Sequence, residues 1–281
     1  MFLPLDLTIA IPVRNEERNL PGCLKAIGKD LALNIVVIDS NSTDSTKKIC
    51  DEFGVEFIRF EWDGKFPKKR NWFLRNFKPK TKWILFLDAD EYLTENFKNE
   101  LKVILPKSNK VGYWLSYSVY FLGKQLNGGY PLKKLALFMV GAGEYEFIDE
   151  KQWSELDMEV HEHPVLVGEI GVIENKIDHH DFRGISHYLK KHDDYASWEA
   201  KRFLKTVRDS KITERWTWKQ QLKYKLLDSI FVGPAYFLGS YFFFLGFKDG
   251  ARGFAFAIFK MSYFTQVYCK IQEYKKVDIL N

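Results

Sequence analysis

This 281-residue chain has few cysteines, no internal repeat, no low-complexity tract and no clean apolar run of membrane-spanning length. Its three cysteines, Cys23, Cys50 and Cys269, are odd in number and far apart, which argues against a disulfide framework or a cysteine metal centre and fits a reducing compartment. The start, Met1-Phe-Leu-Pro-Leu-Asp, lacks the basic residues and long apolar stretch of a secretory leader, so export is not expected. A hydrophobic fraction of 46% and an aromatic fraction of 16% exclude a disordered chain and suffice for one substantial core with a smaller appendage. The net charge of +5 is unevenly spread: residues 1–200 carry 27 Lys/Arg against 31 Asp/Glu, whereas residues 201–225 carry nine against two. The basicity is therefore local, and it suits phosphates or anionic lipid headgroups.

What is present is alternation. Leu7–Ile11, Ile35–Ile38, Val55–Phe60 and Trp83–Leu87 are apolar runs of strand length, and Leu20–Ile27, Ser45–Phe53, Lys68–Phe77 and Glu95–Leu105 between or after them have helical spacing. The pattern predicts an α/β domain around a parallel sheet. Further strand-like runs between Gly112 and Val140 extend it to a mixed sheet, with Asn127-Gly-Gly-Tyr-Pro as a hairpin or acceptor-side loop. The first, second and fourth runs end in polar clusters: Pro12-Val-Arg-Asn-Glu-Glu, Asp39-Ser-Asn-Ser-Thr-Asp and Asp88-Ala-Asp-Glu. Ligands of open α/β sheets bind outside the carboxyl ends of the strands, so the three clusters should line one crevice.

The residue types in that crevice suit a nucleotide diphosphate and a hard cation. Asp88 and Asp90, one residue apart after a buried strand, are oxygen ligands of the kind Mg²⁺ or Mn²⁺ takes while bridging to phosphates. They would equally cap a following helix. Asp39 suits a uracil N–H or a ribose hydroxyl, leaving Asp44 or Ser45 to cap the next helix. Phe66-Pro-Lys-Lys-Arg-Asn-Trp opens a helix with three cations beside the place a pyrophosphate would occupy, unless these simply form a solvated face. Further on, Asp157-Met-Glu-Val-His-Glu-His-Pro and Asp178-His-His-Asp supply carboxylates and imidazoles. In an extended 157–163 segment Glu159 and Glu162 point to opposite faces, so only one of them can serve as a general base. His179 or His180 would complete a metal shell or be structural.

In order and spacing, Ile11-Pro-Val-Arg-Asn-Glu-Glu-Arg-Asn-Leu, Val37-Ile-Asp-Ser-Asn-Ser-Thr-Asp-Ser-Thr, Lys69-Arg-Asn and Phe86-Leu-Asp-Ala-Asp-Glu resemble the family 2 inverting glycosyltransferases, over about the first hundred residues. The resemblance implies a GT-A-type, Rossmann-like mixed sheet flanked by helices, a nucleotide-sugar donor, expected to be a UDP-sugar, and a divalent metal, Mg²⁺ or Mn²⁺. It carries over Pro12, Arg14, Glu16 and Asp39 to the nucleoside, Arg70 to base or phosphate, and Asp88 and Asp90 to ribose and metal; Ala89 between them is counted with the nucleotide-sugar site, and of the two histidines His180 is preferred as the further metal ligand. It also implies one-step inversion with an acceptor base from the C-terminal half; among the carboxylates there Glu162 is the first candidate, Glu159 the second and Asp157 is in reserve. Val160-His-Glu, His180-Asp-Phe-Arg, Tyr188-Leu-Lys-Lys-His-Asp-Asp-Tyr-Ala and Gly246-Phe-Lys-Asp-Gly-Ala-Arg-Gly-Phe resemble a branch of lipopolysaccharide-core and other cell-envelope β-glucosyltransferases. The Gln-x-x-Arg-Trp signature of processive synthases is absent, since Ile212 stands where Gln would precede Arg215-Trp216, so transfer of a single sugar is expected.

The expected organisation is a catalytic domain over 1–200, its nucleotide-sugar half about 1–110 and its acceptor half about 111–200, followed by a basic, aromatic-rich helical region over 201–281. Ser229–Phe247 holds 19 uncharged residues but is interrupted by Pro234, three glycines and several tyrosines. It is too poor a span for a crossing helix and suits a segment lying in the membrane interface, on the cytoplasmic side of the inner or plasma membrane. The alternative is a small helical subdomain or a dimer interface. The expected partners are the donor, a saccharide or lipid-linked acceptor and an anionic membrane surface, not nucleic acid. Rival readings are an Asp-nucleophile phosphotransferase and a membrane-attached nucleotide-binding scaffold without strong turnover.

Overall fold

The computed structural model describes residues 3–147, 157, 163–208 and 218–280. The chain divides into two compact units, one of residues 1–120 with 132–182 and one of 121–131 with 183–281. The sequence reading sets a boundary at 200, whereas helix α5 (Ile185–Arg208) runs unbroken across that position within the second unit.

In the first unit the strands β1 (Leu5–Val13), β2 (Ala32–Asp39), β3 (Glu56–Arg59) and β4 (Trp83–Phe86) alternate with helices α1 (Leu20–Ile27), α2 (Thr46–Phe53) and α3 (Lys69–Asn76). The four strands are parallel in the order β3-β2-β1-β4. The central strands β1 and β4 read as near-continuous apolar runs because both faces are covered, whereas the edge strand β3, Glu-Phe-Ile-Arg, is only half-buried in its middle. On β1, Leu7, Ile9 and Ile11 enter one apolar cluster and Ala10 the other. On β4, Trp83 and Leu85 go to the first and Ile84 and Phe86 to the second. Each such aliphatic side chain removed from water contributes roughly 1.5–3 kcal/mol.

The helices obey the same logic. Leu20, Cys23, Leu24 and Ile27 are the buried residues of α1, at helical spacing. Gly54, at φ 66°, ends α2 in the left-handed conformation that costs glycine least. Helix α4 (Glu95–Ile104) begins at Thr94, whose Oγ1 accepts from the Phe97 amide.

Beyond the parallel half the sheet turns antiparallel. Strand β6 (Gly112–Phe121) is separated from β4 by β8 (Lys133–Met139), which is antiparallel to both, so the sheet is mixed as expected. The two-residue β5 (Glu91–Tyr92) pairs with β12 (Ile177–His179), which in turn pairs with β6. The remaining short strands are β7 (Lys124–Gln125), β9 (Gly143–Tyr145), β10 (Pro164–Leu166), antiparallel to β9, and β11 (Ile170–Val172), parallel to β6. This is the Rossmann-like mixed sheet flanked by helices that the sequence predicts.

The second unit is helical. Helix α5 packs with α6 (Trp218–Leu227), α7 (Val232–Leu238) and α8 (Gly250–Leu280) around Ala196, Ala200, Phe203, Leu227, Val232, Tyr263, Val267 and Ile271. Among the described residues no single helix is long and apolar enough to cross a membrane.

Candidate active site

Because β1, β2 and β4 are adjacent and parallel, their carboxyl ends open at one edge of the sheet, and the three polar clusters meet there. The loops after β1 and β2 are stitched together: the Asn15 amide donates to Ser42 Oγ at 2.8 Å, the Thr43 amide to Asn15 Oδ1 at 2.8 Å and the Glu16 amide to Thr46 Oγ1 at 3.0 Å. Asn15 and Asn41 take left-handed φ of 57° and 54°, which asparagine tolerates better than most residues. Asp44 caps α2 by accepting from the Thr46 amide at 3.0 Å. Asp39 is 2% exposed, and its carboxylate accepts from the Ser42 amide at 3.0 Å and from the Ser42 hydroxyl. The cap is thus Asp44, and Asp39 orders its own loop at the strand end. Pro12 lies buried in β1, Arg14 is exposed, and Glu16 accepts from Asn19 Nδ2 at 3.0 Å.

Helix α3 brings its cations to the same edge. Lys69, 2% exposed, donates through Nζ to the Val13 carbonyl at 3.0 Å and pairs with Asp157 Oδ2 at 3.2 Å. Burial pushes the Lys69 ammonium below its ordinary range, against the pull of Asp157. Burial acts on Asp157 in the raising direction, but the Lys69 charge, the neighbouring Ser40 hydroxyl and the Arg14 charge outweigh it and hold this carboxyl low. Arg70 Nη2 reaches Asp88 Oδ1 at 2.9 Å, and its guanidinium lies 5.3 Å from the Tyr145 ring centre. Asn71 exchanges two 2.9 Å hydrogen bonds with the Tyr145 backbone, fixing α3 to β9.

The two aspartates after β4 differ in surroundings. Asp88 holds Arg70 on one oxygen and Lys134 Nζ, at 2.6 Å, on the other. Lys134 also pairs with the fully buried Glu91. Burial drives the Glu91 carboxyl up despite Lys134, while Asp88 and Glu91 hold Lys134 charged against its own burial. Ala89 is buried, and Asp90 is 4% exposed with Oδ1 at 3.6 Å from His179 Nε2.

The sequence reading leaves His179 and His180 as alternative metal ligands, with His180 preferred, and the structure places the His179 ring, not that of His180, against Asp90. Strand alternation explains it. Ile177 and His179 share one side of β12, whereas Asp178 lies on the other, where it accepts from the Tyr120 hydroxyl at 3.3 Å. The His180 ring stacks on Tyr120 at 4.9 Å and lies 3.9 Å from Phe182, and burial lowers its basicity. Only its amide meets Asp90, donating to the carbonyl at 2.9 Å. Among the described residues no three His, Cys, Asp or Glu groups form a metal cluster by themselves. Glu159 and Glu162 lie outside the described residues.

One member of the site escapes motif reading. Lys134 sits in an apolar strand, Lys133–Met139, and only its inward position marks it. Lys69 stands within the Lys69-Arg-Asn motif, but as one of three consecutive cations nothing local says that it is the most deeply buried of them.

The profile described as Glycosyl transferase family 2 matches residues 8–132, which include Pro12 through Asp90 but neither Lys134 nor His179. An uncharacterized glycosyltransferase of Rickettsia bellii is 28% identical over 130 residues, 46% of this chain and 42% of the relative. Another, of Rickettsia typhi, is 24% identical over 200 residues, 69% of this chain and 67% of that one. This chain spans less than half the length of several of these curated relatives, 42% and 41% in two Rickettsia proteins. Among solved structures, glucosyl-3-phosphoglycerate synthase of Mycobacterium tuberculosis, in complex with Mn²⁺, UDP and glucosyl-3-phosphoglycerate, is 18% identical over 41% of this chain and 44% of its own, with a TM-score of 0.33. S. aureus TarS is 13% identical over 73% of this chain and 40% of its own, with a TM-score of 0.43. Residues 8–132 of this chain are similar to glycosyl transferase family 2.

Proposed function

We propose that the chain is an inverting, non-processive glycosyltransferase that moves one sugar from a nucleotide-sugar, a UDP-sugar in this reading, to a saccharide or lipid-linked acceptor of cell-envelope glycan synthesis. The observation that carries the proposal is the meeting of Asp39, Asp88 and Asp90 at the carboxyl edge of adjacent parallel strands. There Asp88 is held by two cations and Asp90 faces an imidazole. Asp39, with Pro12, Arg14 and Glu16 beside it, would receive the nucleoside, and Arg70 the diphosphate.

The residues fit a divalent cation. Two ligands that each sit about 2.1 Å from one ion lie between about 3.0 and 4.2 Å apart, and the 3.6 Å between Asp90 Oδ1 and His179 Nε2 falls in that interval. Asp90 and His179 would hold the ion, with substrate phosphate oxygens filling the remaining positions. When bound, it supplies positive charge that stabilises a departing diphosphate. Arg70 and Lys134 keep Asp88 ionised and fixed, so the chain's own cations order this edge before a donor arrives.

Inversion also needs a base for the acceptor hydroxyl. Asp157 is a poor one, because its salt bridge to Lys69 lowers its affinity for a proton. Glu162, then Glu159, remain the proposed base. The phosphotransferase reading is disfavoured for a related reason: both Asp88 oxygens are engaged by cations, which blunts the carboxylate as a nucleophile. A direct test offers UDP-, GDP- and dTDP-sugars with Mn²⁺ and a glycan acceptor and follows the products. Release of one nucleoside diphosphate is expected; inorganic phosphate as the primary product would contradict the proposal.

A further inference from the structure

The second unit carries an apolar edge that its own core does not use. Ile230 is 51% exposed, Phe231 69%, Leu238 55%, Phe242 55%, Phe243 82% and Phe247 46%. Single exposed apolar residues are ordinary, but with Leu245 at 42% there are seven within eighteen positions, a density of the kind that marks a docking surface. We infer that this edge inserts into one leaflet of a bilayer containing anionic lipid, as a wedge that enters the interface without crossing it.

The geometry sets the depth. The helical stretch Val232–Phe243 and the preceding Gln221–Leu227 are together apolar enough for a membrane segment, but they bend by 116° where they join. Val232–Phe243 alone rises about 18 Å, well short of the roughly 30 Å hydrocarbon thickness. Its last turn, Gly239–Phe243, is π-helical. Leu245, with φ 60°, then reverses the chain towards α8. The reversal is rigidly seated: a Cβ on Gly253 would stand 1.8 Å from the Gly246 carbonyl oxygen, and one on Gly233 would stand 2.1 Å from Thr265 Oγ1. Behind the edge Tyr236 stacks on Phe264 at 3.4 Å. The exposed phenylalanines are thus presented by a fixed scaffold, so inserting them costs little additional order.

Charge selects the occupant. No acidic residue lies between Asp228 and Asp249. Asp228 is taken by Gln272 at 2.8 Å and by Lys275, while Asp249 is buried and accepts from the Asn127 and Gly128 amides at 2.9 Å. Lys225 and Lys248 flank the apolar run, exposed and without a carboxylate partner among the described residues. An apolar aromatic edge bordered by unpaired cations matches the acyl and headgroup layers of an anionic leaflet. A second copy on the same patch would bring like charges together across the two-fold axis.

The test is co-sedimentation of the full chain with vesicles of phosphatidylcholine alone and of phosphatidylcholine mixed with phosphatidylglycerol, with no nucleotide present. The wild type is expected to partition onto the anionic vesicles. The Phe242→Ser/Phe243→Ser variant should bind at least roughly ten-fold less. Phe231→Ser, on the other side of the bend, should give a separate loss of about three-fold or more. Lys225→Ser and Lys248→Ser should each weaken binding about five-fold on anionic vesicles only. Far-UV circular dichroism and melting temperature should match the wild type throughout. Absence of wild-type binding, or undiminished binding by the folded phenylalanine variants, overturns the inference. So does a wild-type dimer that these substitutions disperse without any lipid effect.

Discussion

Asp88 and Asp90 stand one residue apart, yet their neighbours give them different tasks. Asp88 is a carboxylate between two cations, and Asp90 is a nearly buried carboxylate across from an imidazole. Two predictions belong to this scale. Lys134→Met should destabilise the protein by about 3 kcal/mol or more in denaturant unfolding, because it strands Glu91 as a buried carboxylate without its cation. Adding Glu91→Gln to that variant should recover part of the loss, and an unchanged double variant would show that the pair is not the cause. The second prediction separates the histidines: His179→Ala should remove the metal dependence of nucleotide binding, as Asp90→Asn should, while His180→Ala should keep it within about three-fold. Calorimetric titration with and without Mn²⁺ reads this directly, and equal losses from both histidine variants would contradict the assignment. Asp39, Arg70, Asp88 and Asp90 were legible from sequence because each stands at a strand or helix end whose apolar run announces it. The choice between His179 and His180, and the place of Lys134, were not, because they depend on which side of a short strand faces which neighbour, and a His-His pair carries no such signal.

At the scale of elements, the long apolar runs and amphipathic helices of the first hundred residues carried their own period, and the structure ends them within two residues of the sequence expectation. The strands Glu91–Tyr92 and Ile177–His179 were invisible, since two or three residues have no period and form only by pairing with each other and with β6. They are nonetheless the elements that bring His179 to Asp90. One residue of α4 fastens the loop that leads into β12: Glu100 accepts from the amides of Glu174 at 3.0 Å and Asn175 at 2.8 Å, and from the Asn175 side chain. Burial acts to raise its pKa, but these hydrogen bonds outweigh burial and lower it. The stabilisation is therefore fully present above the unfolded carboxyl value of about 4.3 and is lost as pH falls through the lower folded value. Glu100→Gln should cost about 1 kcal/mol at neutral pH and flatten the stability profile below pH ~4.5, as read by urea unfolding across pH. A variant with the same acid slope as the wild type would sink this account. In the second unit, Gly253→Ala forces a Cβ onto the Gly246 carbonyl and should lower stability by roughly 2 kcal/mol or more, against a gain had the site been open helix.

For the whole molecule, composition foretold a sheet-based part and a basic aromatic helical part, but not which residues each would claim. Residues 121–131 fall in the helical unit because the Asp249 carboxylate binds Asn127 and Gly128 across more than a hundred positions of sequence, and no local pattern announces such a partner. The residues of the candidate site, by contrast, all lie in the first unit, and most fall within the segment that matches glycosyl transferase family 2. The proposed transfer requires that site to hold a nucleoside diphosphate together with a metal. The measurement that tests this most directly is calorimetric titration of the full chain with UDP, GDP and dTDP, each with and without Mn²⁺. Saturable binding of one of them, UDP in this account, that strengthens at least about ten-fold with Mn²⁺ is the predicted result. Absence of binding by all three with the metal present would contradict it.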